Sequence, residues 1–204
     1  NDHVNLCIDA ERRNALRVHH SATHLLHEAL RRNLGDHITQ KGSLVSPDKL
    51  RFDISHNKAI SSADINLIED EINDKIRENF NIETTEMDIE SARSLGALAL
   101  FGEKYGDQVR VVKMGSHSKK YYSVELCGGT HVKNTKDIGK FKIINQSSIA
   151  AGVRRVEALR DIELLNYEKS IQKTTSLKNE EMLKQLKLIK KELLGNITLK
   201  ENRF

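Results

Sequence analysis

The chain has 204 residues, of which 38% are hydrophobic, 30% charged and 4% aromatic, with a formal charge of +4 and an isoelectric point near 9.0. That length suits one well-buried domain with an appendage, or two small domains. No apolar run approaches the roughly 18–20 residues that cross a bilayer, and no basic stretch followed by an apolar core marks a secretory signal, so a cytoplasmic location with no membrane partner is expected.

The first short alternating run, Val4-Asn5-Leu6-Cys7-Ile8, predicts a strand. A helix follows after Asp9, roughly from Asn14 to Leu34, with Gly35 as its stop; Leu16, Ala22, Leu25, Leu26, Ala29 and Leu30 recur at helical spacing. Gln40 to Val45 and Leu50 to Ile54 predict a hairpin around the single proline, Pro47. A second helix starts at Ser61 or Ser62, with Ile65, Ile68, Ile72 and Ile76 on one face and Phe80 closing it. Ile82 to Ile89 reads as a strand and Glu90 to Leu100 as a third helix. Strands are expected at Val109–Met114, Tyr121–Leu126 and Lys140–Asn145, with a polar hairpin loop from Gly115 to Lys120. Beyond Arg160 the sequence turns rich in Lys, Glu and Leu. Leu183, Leu186, Ile189 or Lys190, Leu193 and Leu194 form a stripe too narrow to bury itself alone, so residues 161–204 are expected to be a projecting helix or helical pair. The fold class expected is α+β, a mixed or antiparallel sheet packed with helices around a zinc site, followed by this extension.

Two cysteines cannot build a disulfide framework, and Cys7 reads as a buried thiol in a reducing compartment. Cys127 stands in a different setting. His20 and His24 lie four apart on one helix, one turn apart on the same face, where two imidazoles can converge on one ion. Cys127-Gly128-Gly129-Thr130-His131 adds a thiolate and a third imidazole around two glycines that let the backbone curl tightly. Three nitrogens and a sulfur make a tetrahedral set that suits zinc above other divalent metals. The plainer alternative is a buried thiol beside hydrogen-bonded histidines. His27, three beyond His24, is the reserve ligand. His19 is off that face, and His3, His37, His56 and His117 have no partner motif.

These residues resemble the editing domain of the alanyl-tRNA synthetase family. The similarity is carried by His20-Ser21-Ala22-Thr23-His24-Leu25-Leu26-His27, by Gln40 to Val45, by Leu50-Arg51-Phe52-Asp53, by Cys127 to His131 and by Ser147 to Ala158. It runs in order from about Val4 to Leu159. Free-standing alanyl editing proteins and the threonyl-tRNA synthetase editing domain are related, and Gly128, Gly129 and Thr130 point to the alanyl branch. The start at Asn1 without Met suggests a piece of something longer. The start just before the zinc helix, without room for the β-barrel that precedes this domain in the family, and the Lys/Leu-rich tail favour a synthetase fragment over a free-standing editor. Residues 1–160 would then be the editing domain, and 161–204 a helical extension toward a dimerisation region.

The resemblance implies hydrolysis of tRNA(Ala) mischarged with serine, and of the glycine ester as a second substrate. An alanine pocket rejects serine poorly, because one added hydroxyl gives modest discrimination, so a second sieve is needed. The expected partners are the acceptor end of tRNA(Ala), the rest of the synthetase chain, and a second copy bound through the C-terminal helices. Aminoacylation and ATP use would lie outside this sequence. Gln40 and Cys127 are the catalytic candidates. Gln40 can donate to a developing oxyanion, and Cys127 acts through the metal. Thr23 and Ser43 could read the substrate hydroxyl, Gly128 and Gly129 could offer backbone N–H groups, and Arg154 and Arg155 could contact tRNA phosphates. Adjacent residues on a strand face opposite ways, which leaves one of the two arginines for that contact. Zinc would either activate water, given an open coordination position, or position the substrate. The rival classes are a cysteine hydrolase with Cys127 as nucleophile, and an RNA-binding module with structural zinc, which the small aromatic content disfavours.

Overall fold

The computed structural model describes the backbone of residues 4–99, 105–117 and 120–201. The elements in chain order are α1 (Ala10–Leu34), β1 (Gln40–Val45), β2 (Leu50–Ser55), α2 (Ser62–Arg77), β3 (Ile82–Asp88) and α3 (Ile89–Ser94). They continue with β4 (Gln108–His117), β5 (Lys120–Leu126), a 3₁₀ turn (Thr135–Ile138), β6 (Phe141–Ala150), β7 (Val153–Arg160) and α4 (Asp161–Glu201). The strands form two antiparallel sheets, ordered β1-β2-β7-β6 and β3-β4-β5. The architecture is α+β, as the alternation of apolar periods implies. No helix among the described residues is long and apolar enough to cross a membrane.

Helix α1 organises the core. Asp9 caps it by accepting from the Arg12 backbone N–H at 2.9 Å, and Gly35, at φ +116°, stops it. The cap lets the helix start four residues earlier than its apolar spacing predicts, because its first turn is held by polar capping and not by burial. From His19 to Leu30 the helix is almost wholly buried. Ala22, Leu25, Leu26, Ala29 and Leu30 pack with Phe52 and Ile54 of β2 and with Ile68 and Ile72 of α2 in one continuous core. A smaller core gathers Ala92, Val109, Val111 and Leu126.

Several expectations need correcting. Val4 to Ile8 is irregular and exposed, with Leu6 at 91%. Its alternation finds no neighbouring strand, and without a ladder the pattern has nothing to stabilise it. Cys7 is accordingly exposed, not buried. The third helix ends at Ser94, because Gly96 at φ +79° turns the chain. Leu98 then runs beside β5 and bonds to Val124 and Leu126; Leu100, the expected end of that helix, lies outside the described residues. The β4–β5 hairpin is tighter than expected, with Ser116 paired to Tyr121 and His117 to Lys120. Strand β6 extends to Ala150 through irregularities between Ile143 and Asn145 and between Ser148 and Ala150. Each of these breaks the period of two that would have revealed the strand's length. β7, whose bounds the sequence pattern leaves open, is a central strand flanked by β2 and β6.

The chain divides into two compact units, Asn1–Leu164 and Leu165–Phe204. In the first unit Leu164 is buried, and Arg160 donates to the Ile138 carbonyl. In the second, Ile171, Leu177, Met182, Leu183, Leu186 and Ile189 are all exposed along α4. The side chains of Leu193 and Leu194 lie outside the described residues.

Candidate metal centre

The two halves of the expected ligand set meet. The ligand atoms of His20, His24, Cys127 and His131 all lie within 4.8 Å of one another. His20 and His24 share a face of α1, while Cys127 and His131 bound the turn that follows β5. The Cys127 Sγ lies 3.5 Å from His20 Nε2 and 3.4 Å from His131 Nε2. A tetrahedral zinc with bonds of about 2.3 Å to sulfur and about 2.05 Å to nitrogen has a sulfur–nitrogen edge of about 3.5 Å. These two edges therefore match what such an ion needs.

Each imidazole is anchored through Nδ1. His20 Nδ1 is 3.2 Å from the Thr130 carbonyl, His24 Nδ1 is 2.9 Å from Glu125 Oε2, and His131 Nδ1 is 3.2 Å from Ser21 Oγ. Anchoring Nδ1 leaves Nε2 of each ring for the centre. His24 Nε2 is buried and has no hydrogen-bond partner, which is a costly state for a polar nitrogen unless something coordinates it.

The charge states of Cys127 and His131 agree with metal binding. Burial pushes the Cys127 thiol up, but hydrogen bonds with His131 and His20 outweigh it and bring the group down to about 3, so it is a thiolate. Burial lowers His131 to about 4, which keeps it neutral with a lone pair to give. Burial opposes charge on His24 as well, yet the Glu125 carboxylate overrides this and raises it to about 10. The carboxylate thus favours positive charge at this imidazole, and a divalent ion at Nε2 would supply it. Thiolate and neutral imidazoles are the forms that bind zinc, so His24 must give up its Nε2 proton to the ion.

The backbone of the turn is held by a residue the sequence analysis missed. Arg110, on β4, donates from Nη1 to the carbonyls of Cys127 at 2.8 Å and Gly129 at 2.5 Å. Nothing local marks Arg110, because its role depends on pairing between β4 and β5. Glu125 was missed for a similar reason: a single carboxylate on a strand carries no motif. The two glycines differ. Neither has positive φ, but a Cβ on Gly129 would overlap the His20 ring, whereas one on Gly128 would meet nothing within 4 Å. Gly129 is needed for close approach and not for a sharp turn.

The remaining candidates are dispersed. Gln40 is half-buried and lines a cavity of about 240 Å³ with His27, Arg31, Ile38 and Leu98. Cys127 and Gly128 line a different one with Arg110 and Tyr105. Thr23 is buried and donates its hydroxyl to the His19 carbonyl at 2.9 Å, leaving its oxygen free to accept. Ser43 is exposed on β1. Arg155 makes a bidentate pair with the buried Asp53 directly across from it, at 2.7 and 2.8 Å. Arg154 donates to Gln146 at 3.2 Å. His27 is not among the four converging residues; its Nδ1 goes to Glu125. His19 Nδ1 bonds to the Ala15 carbonyl, one turn back on its own helix.

A helix whose two histidines meet a Cys-Gly-Gly-Thr-His turn at the end of an antiparallel strand can be compared with known domains. Residues 109–157 match the family described as the threonyl and alanyl tRNA synthetase second additional domain. Full-length relatives narrow the match. The chain is 52% identical over 181 residues to an alanine–tRNA ligase of Granulibacter bethesdensis, covering 85% of this chain and 21% of that protein. It is 58% identical over 158 residues to that of Rickettsia felis, covering 78% and 17%, and 57% identical over 158 residues to that of Sphingopyxis alaskensis, covering 78% and 18%. The chain belongs to the alanyl-tRNA synthetase family, and it spans about a fifth of the length of these relatives.

Proposed function

We propose that this chain is a zinc-dependent editing unit that hydrolyses the ester linking serine to tRNA(Ala), acting within an alanyl-tRNA synthetase in the cytoplasm. The observation that carries this reading is the convergence of three Nδ1-anchored imidazoles with one thiolate in a chain related to alanine–tRNA ligases. The four residues would hold one zinc, which when bound supplies a Lewis acid for orienting or polarising a substrate oxygen. The chain's own residues supply the rest. Thr23 has spent its proton on the helix and presents an acceptor, the complement of a serine hydroxyl and a feature that alanine cannot exploit. The Gln40 amide offers a donor for the oxyanion that forms when water attacks the ester. The exposed backbone at Gly128 offers a second donor, whereas the Gly129 N–H is given to Cys127 Sγ at 3.4 Å, and Ser43 lies further along β1 from Gln40. One of Arg154 and Arg155, which face opposite ways on β7, would meet the phosphates of the acceptor end; two of the donors on Arg155 are committed to Asp53.

The test is to incubate the zinc-loaded chain with Ser-tRNA(Ala), Gly-tRNA(Ala) and Ala-tRNA(Ala). Release of serine with Ala-tRNA(Ala) preserved is the expected result. Binding of tRNA with no release would leave an RNA-binding module with structural zinc. A trapped seryl thioester on Cys127 would make it a cysteine hydrolase, because a thiolate committed to zinc is a poor nucleophile.

A further inference from the structure

One buried carboxylate beside the metal centre has no place in the ligand set. Glu125 is 2% exposed and lies two residues before Cys127 along the same extended run. Its Oε2 is 2.9 Å from His24 Nδ1, its Oε1 is 3.2 Å from His27 Nδ1, and Ser123 Oγ donates to Oε1 at 3.2 Å. His24 and His27, three apart on α1, present adjacent Nδ1 atoms to one acceptor. An ionised carboxylate only accepts hydrogen bonds, so each Nδ1 facing it must carry its proton. In the neutral form of either ring, the form a metal binds, the lone pair then sits on Nε2, and both of those nitrogens are buried without a hydrogen-bond partner.

We infer that Glu125 is the positioning residue of the metal centre, and that it clamps His24, a ligand, together with His27, a wall of the cavity that contains Gln40. The inference rests on the metal reading above. Without Glu125, His24 could turn about its Cβ–Cγ bond or adopt the other tautomer, and either would withdraw Nε2 from the ion. His27 contributes from the other side, because its N–H and the Ser123 hydroxyl hold the carboxylate in the rotamer that meets His24. Removing a carboxylate that supports a metal-bound histidine commonly weakens the metal by about 10–100-fold. Glu125→Gln retains the shape and one acceptor oxygen but turns an N–H toward one of the two imidazoles, so its loss should be smaller than that of Glu125→Ala. His27→Ala should also weaken the metal, by less than Glu125→Ala, although His27 makes no bond to it.

The experiment is competition between the full 204-residue chain and a chromophoric zinc chelator, with cobalt substitution in parallel. The parent should bind one ion and show the intense visible bands of a tetrahedral cobalt–thiolate site. Glu125→Ala should bind about 10–100-fold more weakly with shifted cobalt bands, Glu125→Gln less so, and His27→Ala should show a measurable loss. Wild-type affinity with an unchanged cobalt spectrum in Glu125→Gln and Glu125→Ala would overturn the inference while leaving the metal site standing. A parent that binds neither ion would overturn the metal reading itself. Folding of each variant is followed by circular dichroism, and the isosteric Glu125→Gln decides the matter if Glu125→Ala does not fold.

Discussion

At the scale of single residues, Gly128 and Gly129 look alike in sequence and should respond oppositely to the same change. A Cβ on Gly129 must displace the His20 ring, while one on Gly128 enters open space. Gly129→Ala should therefore cost about 1–3 kcal/mol and loosen the metal, as overpacking does. Gly128→Ala should leave metal content and melting temperature near those of the parent. Thermal melts with zinc analysis on both variants check this. Cys127 and Gln40 separate in a similar way. Cys127→Ala removes a ligand, so zinc and serine release should both be lost. Gln40→Ala leaves the four ligands intact, and should slow deacylation by roughly 10–1000-fold if its amide meets the oxyanion. An unchanged rate for Gln40→Ala would remove Gln40 from the chemistry. The roles of Glu125 and Arg110 were invisible at this scale, because each acts on groups distant in the chain: Glu125 on His24 and His27, Arg110 on the carbonyls of Cys127 and Gly129.

At the scale of elements, the informative boundary is the join between β7 and α4. Composition changes after Arg160, but the packing of the first unit continues to Leu164, which is 1% exposed, and Glu163 pairs with Arg160. A chain ending after Leu164 should fold and bind zinc like the parent. One ending at Arg160 should be less stable by about 2 kcal/mol, the contribution of one buried leucine. Denaturant unfolding of the two truncations measures the difference, and equal stabilities would show that Leu164 adds nothing. Elements with a clear period were legible: α1, α2, the β1–β2 hairpin despite its irregularity between Gln40 and Gly42, and strands β3, β4 and β5 all lie where their spacing put them, within a few residues. Val4 to Ile8 shows the limit. Five alternating residues make a strand only if a neighbour accepts their hydrogen bonds, and the neighbour is a tertiary fact. β6 shows the converse, a real strand whose bulges hide its period.

At the scale of the whole molecule, the charges buried at the centre tie folding to pH. In the metal-free chain, His131 stays neutral down to about 4 against 6.5 when unfolded, and Cys127 stays ionised down to about 3 against 9.0. Between pH 6.5 and pH 4 the unfolded chain therefore holds protons at both positions that the folded chain does not, and stability must fall as pH falls. His24, raised to about 10, is protonated in both states below 6.5 and adds no slope there. Melting the chelator-treated protein across this range should show a steady decline, and Cys127→Ala should make it shallower, with His131 and the lowered Glu125 supplying the slope that remains. A melting temperature constant from pH 6.5 to 4 would mean that these groups are not held as described.

What the amino-acid sequence determined by itself was the candidate ligand set and the family resemblance, because His-x-x-x-His on a helix and Cys-Gly-Gly-Thr-His after a strand are local patterns whose geometry follows from helical and extended spacing. What only the tertiary structure decided was everything that supports those ligands. Glu125 reaches His24 and His27 across about a hundred residues of chain, Arg110 grips the turn from the neighbouring strand, and Arg155 is tied to Asp53 across the sheet. Such partners are chosen by packing, and burial then makes their charges count, since a carboxylate or imidazole removed from water must find its complement within hydrogen-bonding distance.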